Sequence, residues 1–279
     1  MPRIVFYIRA LFHESILPIV DKQKAEDFVE KFNNYFKITA QEYRQEVHKI
    51  QLQNIAAISP HIIVNRSKGQ INKHADYTYA AVQEKTKEQL LSLSDDDILI
   101  PLDDDDWVSP NIVNFPFIDG LSGWHTVTLV PGKWNNLFHN SFVPIVEAGQ
   151  AFTIKEQELF ERGGLLSNCQ AFSGKMVKKI LTSVDGNALM QRHTRCRQLT
   201  QIHGFKEYIS RERLSVYVRH ACNITFIRKI IDVGGFETEK GQEEVAKYKY
   251  MYKQDLNLPV EYSWATGSLA KLAELNKQL

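Results

Sequence analysis

The chain opens on "RIVFYIR", a β-branched and aromatic run with charge only at its borders, which predicts a first strand. From Asp21, "DKQKAEDFVEKFNNYF" places Ala25, Phe28, Val29, Phe32 and Phe36 at helical spacing and predicts an amphipathic helix. "PHIIVNR" reads as a second strand. Residues 75–93, with Tyr79, Val82, Leu90 and Leu91, read as a helix that feeds into the strand "DDILIPL". Strand, helix, strand, helix, strand calls for a parallel sheet with right-handed crossovers. Pro101 lacks a ladder donor, so it is expected to mark the last residues of its strand.

After Pro110 the pattern shortens. "GWHTVTLV", the turn "PGKWNN" and "FVPIV" read as short strands, antiparallel or hairpin in type. "IKEQELFERGG" reads as a helix closed by glycine, "LLSNCQAFS" as a strand, "KMVKKIL" as a helix and "LSVYVRH" as a strand. From Gly241 the chain is more charged and ends in "GSLAKLAELNKQL", a terminal helix. The expected fold class is α/β: an open, mostly parallel sheet flanked by helices, with a smaller antiparallel part and a helical tail. Residues 1–240 form the expected main domain and 241–279 a helical extension.

Length and composition narrow the classes. With 279 residues, 43% of them hydrophobic, the chain can bury a full core. A net charge of +1, with acids and bases mixed along the chain, gives no footprint for a nucleic-acid binder. Three cysteines without CxxC spacing fit a reducing compartment, each read as a small buried hydrophobe. No run reads as a signal h-region or a membrane span. The expected setting is the cytoplasm, with peripheral membrane contact left open.

One stretch then changes the picture. "DDDILIPLDDDDWVSP" carries acid at both ends of a buried-looking strand, and four consecutive carboxylates repel one another unless paired or bound to a cation. In an open parallel sheet, ligands gather outside the carboxyl ends of the strands, where the second cluster stands. In extended backbone, Asp103 and Asp105 can point to one side, while Asp104 and Asp106 face the other way or turn into the following loop. Two such carboxylates suit Mg²⁺ or Mn²⁺, which fill their remaining positions with water and substrate phosphates. The plain alternatives are a solvated acidic loop or a Ca²⁺ staple. Trp107 is expected to anchor the segment in the apolar layer beneath it, the rival being an exposed ring that stacks on sugar.

The segment resembles the DxD region of GT-A fold, nucleotide-sugar-dependent glycosyltransferases, with Leu102, Asp103, Asp105, Asp106 and Trp107 on the motif. The resemblance is strong over about fifteen residues and extends to the first 110 by organisation. It implies a nucleotide-binding half (1–110) and an acceptor-side half (111–240) of one catalytic domain. It also implies metal and nucleotide contacts from Asp103 and Asp105, support from Asp106, and a donor contact from Asp104. Members often add a histidine ligand from far downstream, and "YVRHACN" offers His220, ahead of His193 and His203. Asp185 in "SVDGN" and Glu207 in "GFKEY" are the candidate bases, because no Glu-Asp pair stands where inverting members place one. Arg66 and Lys68 could meet the diphosphate or the acceptor. The expected activity is metal-dependent transfer of a sugar from a nucleotide diphosphate sugar to a hydroxyl acceptor, in glycan assembly, with inversion or retention open. The alternatives are a sugar nucleotidyltransferase, disfavoured because "YIRALFHES" has no glycine-rich phosphate loop, and a Ca²⁺-stabilised binding module.

Overall fold

A computed structural model of the chain describes residues 2–10, 22–66, 70–71, 77–78, 84–129, 137–139, 169–186, 189, 196–249 and 260–279. Strand β1 (Ile4–Ala10) lies between β2 (Ile62–Arg66) and β5 (Ile98–Asp103), parallel to both, and is buried beyond Ile4. Helices α1 (Lys22–Tyr35) and α2 (Ala40–Ala56) lead from β1 to β2, and α3 (Glu84–Leu91) leads into β5. The expected opening of alternating strands and helices is present, with two differences. Helix α2 is additional, fixed at its start by a capping box: Thr39 Oγ1 accepts from Glu42 N–H at 3.2 Å and Glu42 Oε2 accepts from Thr39 N–H at 3.0 Å. Helix α3 begins at Glu84 rather than Ala75, because β3 (Gln70–Ile71) and β4 (Tyr77–Thr78) pair as a small antiparallel sheet. Tyr79 and Val82 lie outside the described residues.

Beyond β5 the sheet continues through β9 (Gln170–Ser173), β7 (Gly120–Leu129), β10 (Lys206–Val218) and the short β6 (Trp107–Val108), with β8 (Leu137–His139) also on β7. Strand β9 is antiparallel to β5 and β7, while β10 is parallel to β7. Strands β1, β2, β5, β7 and β10 therefore share one direction, against β6, β8 and β9. "GWHTVTLV" belongs to a longer strand than expected, antiparallel to β8 and β9 as expected and, in addition, parallel to β10. "PGKWNN", "FVPIV" and "IKEQELFERGG" lie outside the described residues. Pro101 sits inside β5 at no cost. Ile98 N–H donates to Arg3 C=O, so alternation aims the Pro101 nitrogen at the β9 side, where pairing has already ended at Leu99.

Helices α4 (Gly174–Leu181) and α5 (Cys196–Ile202) help close the central cluster of Phe6, Ile100, Trp124 and Met176. Gly174 starts α4 where the chain touches the turn before β5: a Cβ there would lie 2.0 Å from Ser94 O. A second cluster joins α1 and α2 to α6 (Ile224–Asp232), α7 (Glu239–Lys249) and α8 (Thr266–Asn276), through Phe32, Tyr43, Phe226 and Leu272. The C-terminal helix expected from "GSLAKLAELNKQL" thus completes a core. Among the described residues, no helix is long and apolar enough to cross a membrane.

The acidic turn at the end of β5

Strand β1 continues to β2 on one side and has β5 on the other, so the crevice between the carboxyl ends of β1 and β5 is a topological switch point, where open α/β sheets bind ligands. Arg9 and Asp103 stand level with each other there. Arg9 is buried, with Nη2 at 3.1 Å from Asp103 Oδ1. Such a charge is tolerated inside only when paired. Arg9 was not among the residues singled out from the sequence, because nothing in "RIVFYIRALF" distinguishes it from a strand-end base.

After Asp103 the chain turns, and Asp106 N–H donates to Asp103 C=O at 3.5 Å. Strand alternation therefore stops after Asp103, and of the two expected outcomes for Asp104 and Asp106 the turn into the following loop is the one present. Asp104 alone turns aside, to Arg44 of α2, with Oδ2 at 3.6 Å from Nη2. Asp105 Oδ2 lies 3.0 Å from His220 Nε2. Asp106 is fully buried: Oδ1 accepts from Val218 N–H at 3.4 Å, and Oδ2 has no hydrogen-bond partner. Burial first, then the charges of Asp105 and Asp103, raises its pKa well above the carboxylate range. Asp106 thus lies within electrostatic reach of Asp103 and Asp105, with its Oδ1 turned to the end of β10.

His220 follows β10 and is buried, and desolvation lowers its pKa despite the opposing pull of Asp105. The ring is neutral at pH 7. Its Nδ1 accepts from Cys222 N–H at 3.2 Å, so the proton is on Nε2 and is donated to Asp105. In this tautomer His220 orients Asp105, and its lone pair is not offered to a cation. Tyr43 packs its ring 5.9 Å from the imidazole, accepts from Ala221 N–H at 3.5 Å and donates to Asn276 Oδ1 of α8 at 2.6 Å.

Helix α2 supplies the rest. Arg44, His48, Gln51 and Asn54 recur every three or four residues and so share one face, turned to the acidic segment. Gln51 Nε2 donates to Asp103 C=O and, at 3.0 Å, to Asp106 C=O. His48 Nδ1 lies 3.2 Å from Asp104 O. Asn54 both accepts from Val108 N–H at 2.9 Å and donates to Val108 C=O at 3.1 Å. Trp107 is buried in the helical cluster and Val108 in the central one, so alternation across β6 pins the segment to both cores. The indole does not lie open to solvent.

The remaining candidates lie elsewhere. Glu207 pairs with Leu121 near the start of β10, whereas Val216 pairs with Trp107 near its end. At about 3.3 Å per residue, the intervening strand spans roughly 30 Å. Glu207 is occupied by Arg197, at 2.6 and 2.8 Å, which holds its pKa below the usual range. Asp185 pairs at 3.0 Å with His203, which precedes that same remote start of β10. Neither candidate base is brought to the acidic turn. Arg66 ends β2 opposite Ala10, so its backbone is at the turn's end of the sheet. Its side chain, Lys68 and His193 lie outside the described residues. All three cysteines are free and buried, and burial pushes the Cys196 and Cys222 thiols up to about 12, which leaves them inert.

Among the described residues, no three His, Cys, Asp or Glu side chains stand arranged as a ready metal-ligand group. The donor chemistry nonetheless fits a hard cation: carboxylate oxygens at a strand end, backed by the orphaned Asp106 Oδ2. Compared with known proteins, the chain matches no family model, and no curated protein matches it.

Proposed function

We propose that the protein is a metal-dependent glycosyltransferase that moves a sugar from a nucleoside diphosphate to a hydroxyl acceptor, in a cytoplasmic setting with reduced cysteines. The observation that carries this reading is the placement of the acidic turn at the switch point between β1 and β5, with the Asp106 oxygen buried and unpartnered. The resemblance to GT-A fold enzymes points the same way. Asp103 and Asp105 would hold Mn²⁺ or Mg²⁺, with Asp106 behind them. When bound, the cation neutralises charge on the departing nucleoside diphosphate. In the reaction, the bond from the anomeric carbon to the diphosphate oxygen breaks with its electrons on the oxygen. The acceptor oxygen bonds to that carbon, and its proton passes to solvent water. Arg9 holds Asp103, His220 holds Asp105, and the closed core under Trp107 keeps this end of the sheet rigid, so positioning contributes alongside charge.

The test is a calorimetric and melting screen of nucleotide sugars, each with and without Mn²⁺. The expected result is one nucleoside diphosphate sugar that binds only with the cation. A melting temperature raised by Ca²⁺ alone, with no nucleotide sugar bound under any condition, would replace this reading with a structural Ca²⁺ site.

A further inference from the structure

We infer that Gln51 and Asn54 are positioning residues: α2 clamps the backbone of the acidic turn and so sets the shape in which the carboxylates meet the ligand, a role that rests on the function proposed above. Four adjacent acids tend to spread apart, and a turn of this charge needs a constraint that does not consume the charge itself. The bonds from Gln51 and His48 meet that requirement, while Arg44 of the same helix takes the Asp104 carboxylate. Gln51 holds the carbonyls of Asp103 and Asp106 together, and His48 meets that of Asp104. None of these bonds uses a carboxylate oxygen. Asn54 does a second job: among the described residues β6 is the edge of the sheet, paired with β10, and the Asn54 amide exchanges two hydrogen bonds with Val108 on the other side, as a neighbouring strand would.

The clamp is rigid because its support is. Helix α2 is capped at Thr39 and buries Tyr43, Val47, Ile50 and Ile55, so its polar stripe cannot drift without opening a core. Side chains fixed in this way set the turn's shape before any ligand arrives.

Hydrogen exchange at the backbone amides of residues 104–108 tests the clamp in Gln51→Met and Gln51→Glu, which keep the volume but lose the donor, and in Asn54→Asp, which keeps only the acceptor. Exchange in the turn should rise about tenfold in both Gln51 variants, with Val108 still protected in Asn54→Asp and with β1 and β7 unchanged. The control Lys49→Met, on the exposed face of α2, should leave the turn as in wild type. Unchanged exchange at 104–108, or an equal rise throughout the molecule, would overturn the clamp. Mn²⁺ titration of the wild type, run alongside, reads the proposed function separately: no binding there removes that function and leaves the exchange result to judge the clamp.

Discussion

Strand β5 has acid at both ends, and the two clusters have opposite fates. At its start, Asp95 and Asp96 are exposed, Asp95 meets Lys178 at 2.5 Å, and the one buried member, Asp97, is held by Arg3 at 2.5 and 3.0 Å and by Ser94 N–H at 2.8 Å. The Arg3 pairing holds the Asp97 carboxyl well below the usual range. A groove lies at this end, lined by Arg3, Asp97, Asp119 and Lys175, yet Asp119 and Lys175 are bonded to each other at 2.7 Å. At the other end, Asp104, Asp105 and Asp106 are buried, and Asp106 is pushed the opposite way. What separates the two ends is the depth at which the backbone holds the acids and the number of oxygens left without a partner. The groove is at one end and the turn with the orphaned oxygen at the other.

The comparison is sharpest when one carboxylate is lost from each end. Asp105→Asn should lower transfer by on the order of a hundredfold or more while Asp96→Asn leaves it at wild-type level, measured as initial rates at limiting Mn²⁺. Equal rates in both variants would erase the distinction. Next in size, Trp107→Ala should cost about 3 to 5 kcal/mol in urea unfolding, since it empties a fully buried site under the turn. His220→Ala should weaken Mn²⁺ binding about tenfold by calorimetry while lowering the melting temperature less than Trp107→Ala does. A steep melting loss with unaltered Mn²⁺ affinity would make His220 a core residue only.

The start of the strand gives a smaller effect with a pH signature. Because the folded pKa of Asp97 is depressed, its contribution is complete above the unfolded value of about 3.9 and is lost as pH falls towards the folded value. The melting gap between wild type and Asp97→Asn should therefore be constant from pH 8 to about 5 and close as pH falls further. A gap that widens in acid would contradict the Arg3 pairing. Smallest of all, Glu207→Gln should leave the rate of transfer within about twofold, because the remote start of β10 does not take part.

Much of the sheet was legible because "RIVFYIR", "PHIIVNR" and "DDILIPL" are continuous apolar runs, and that signal survives without partners. The acidic turn was legible from the contrast between such a run and the acids that follow it. Helix α2 was not, because the face it turns inward towards the turn is polar: Arg44, His48, Gln51 and Asn54 interrupt the apolar spacing that would reveal a helix. Its capping box, Thr39 to Glu42, was the available signal. The parallel pairing of β10 with β7 depends on partners far apart in the chain, and no local pattern encodes it. Asp185 and Glu207 show the limit of reading acids singly: each is a carboxylate of ordinary context, and only the sheet reveals that both stand at the wrong end.

The bond from Tyr43 to Asn276 joins residues 233 positions apart, and that from His220 to Asp105 joins residues 115 apart. The turn therefore draws its supports from β1, from α2, from the end of β10 and, through Tyr43, from α8. A nascent chain that has just released β5 already carries Arg9 and Arg44, the partners of Asp103 and Asp104, whereas Asp105 and Asp106 wait more than a hundred residues for His220 and Val218. Closing such distant contacts is slow relative to local helix formation. During synthesis the half of the turn that carries Asp105 and Asp106 would stay hydrated until the end of β10 emerges, while the half that carries Asp103 and Asp104 could close on β1 and α2 at once.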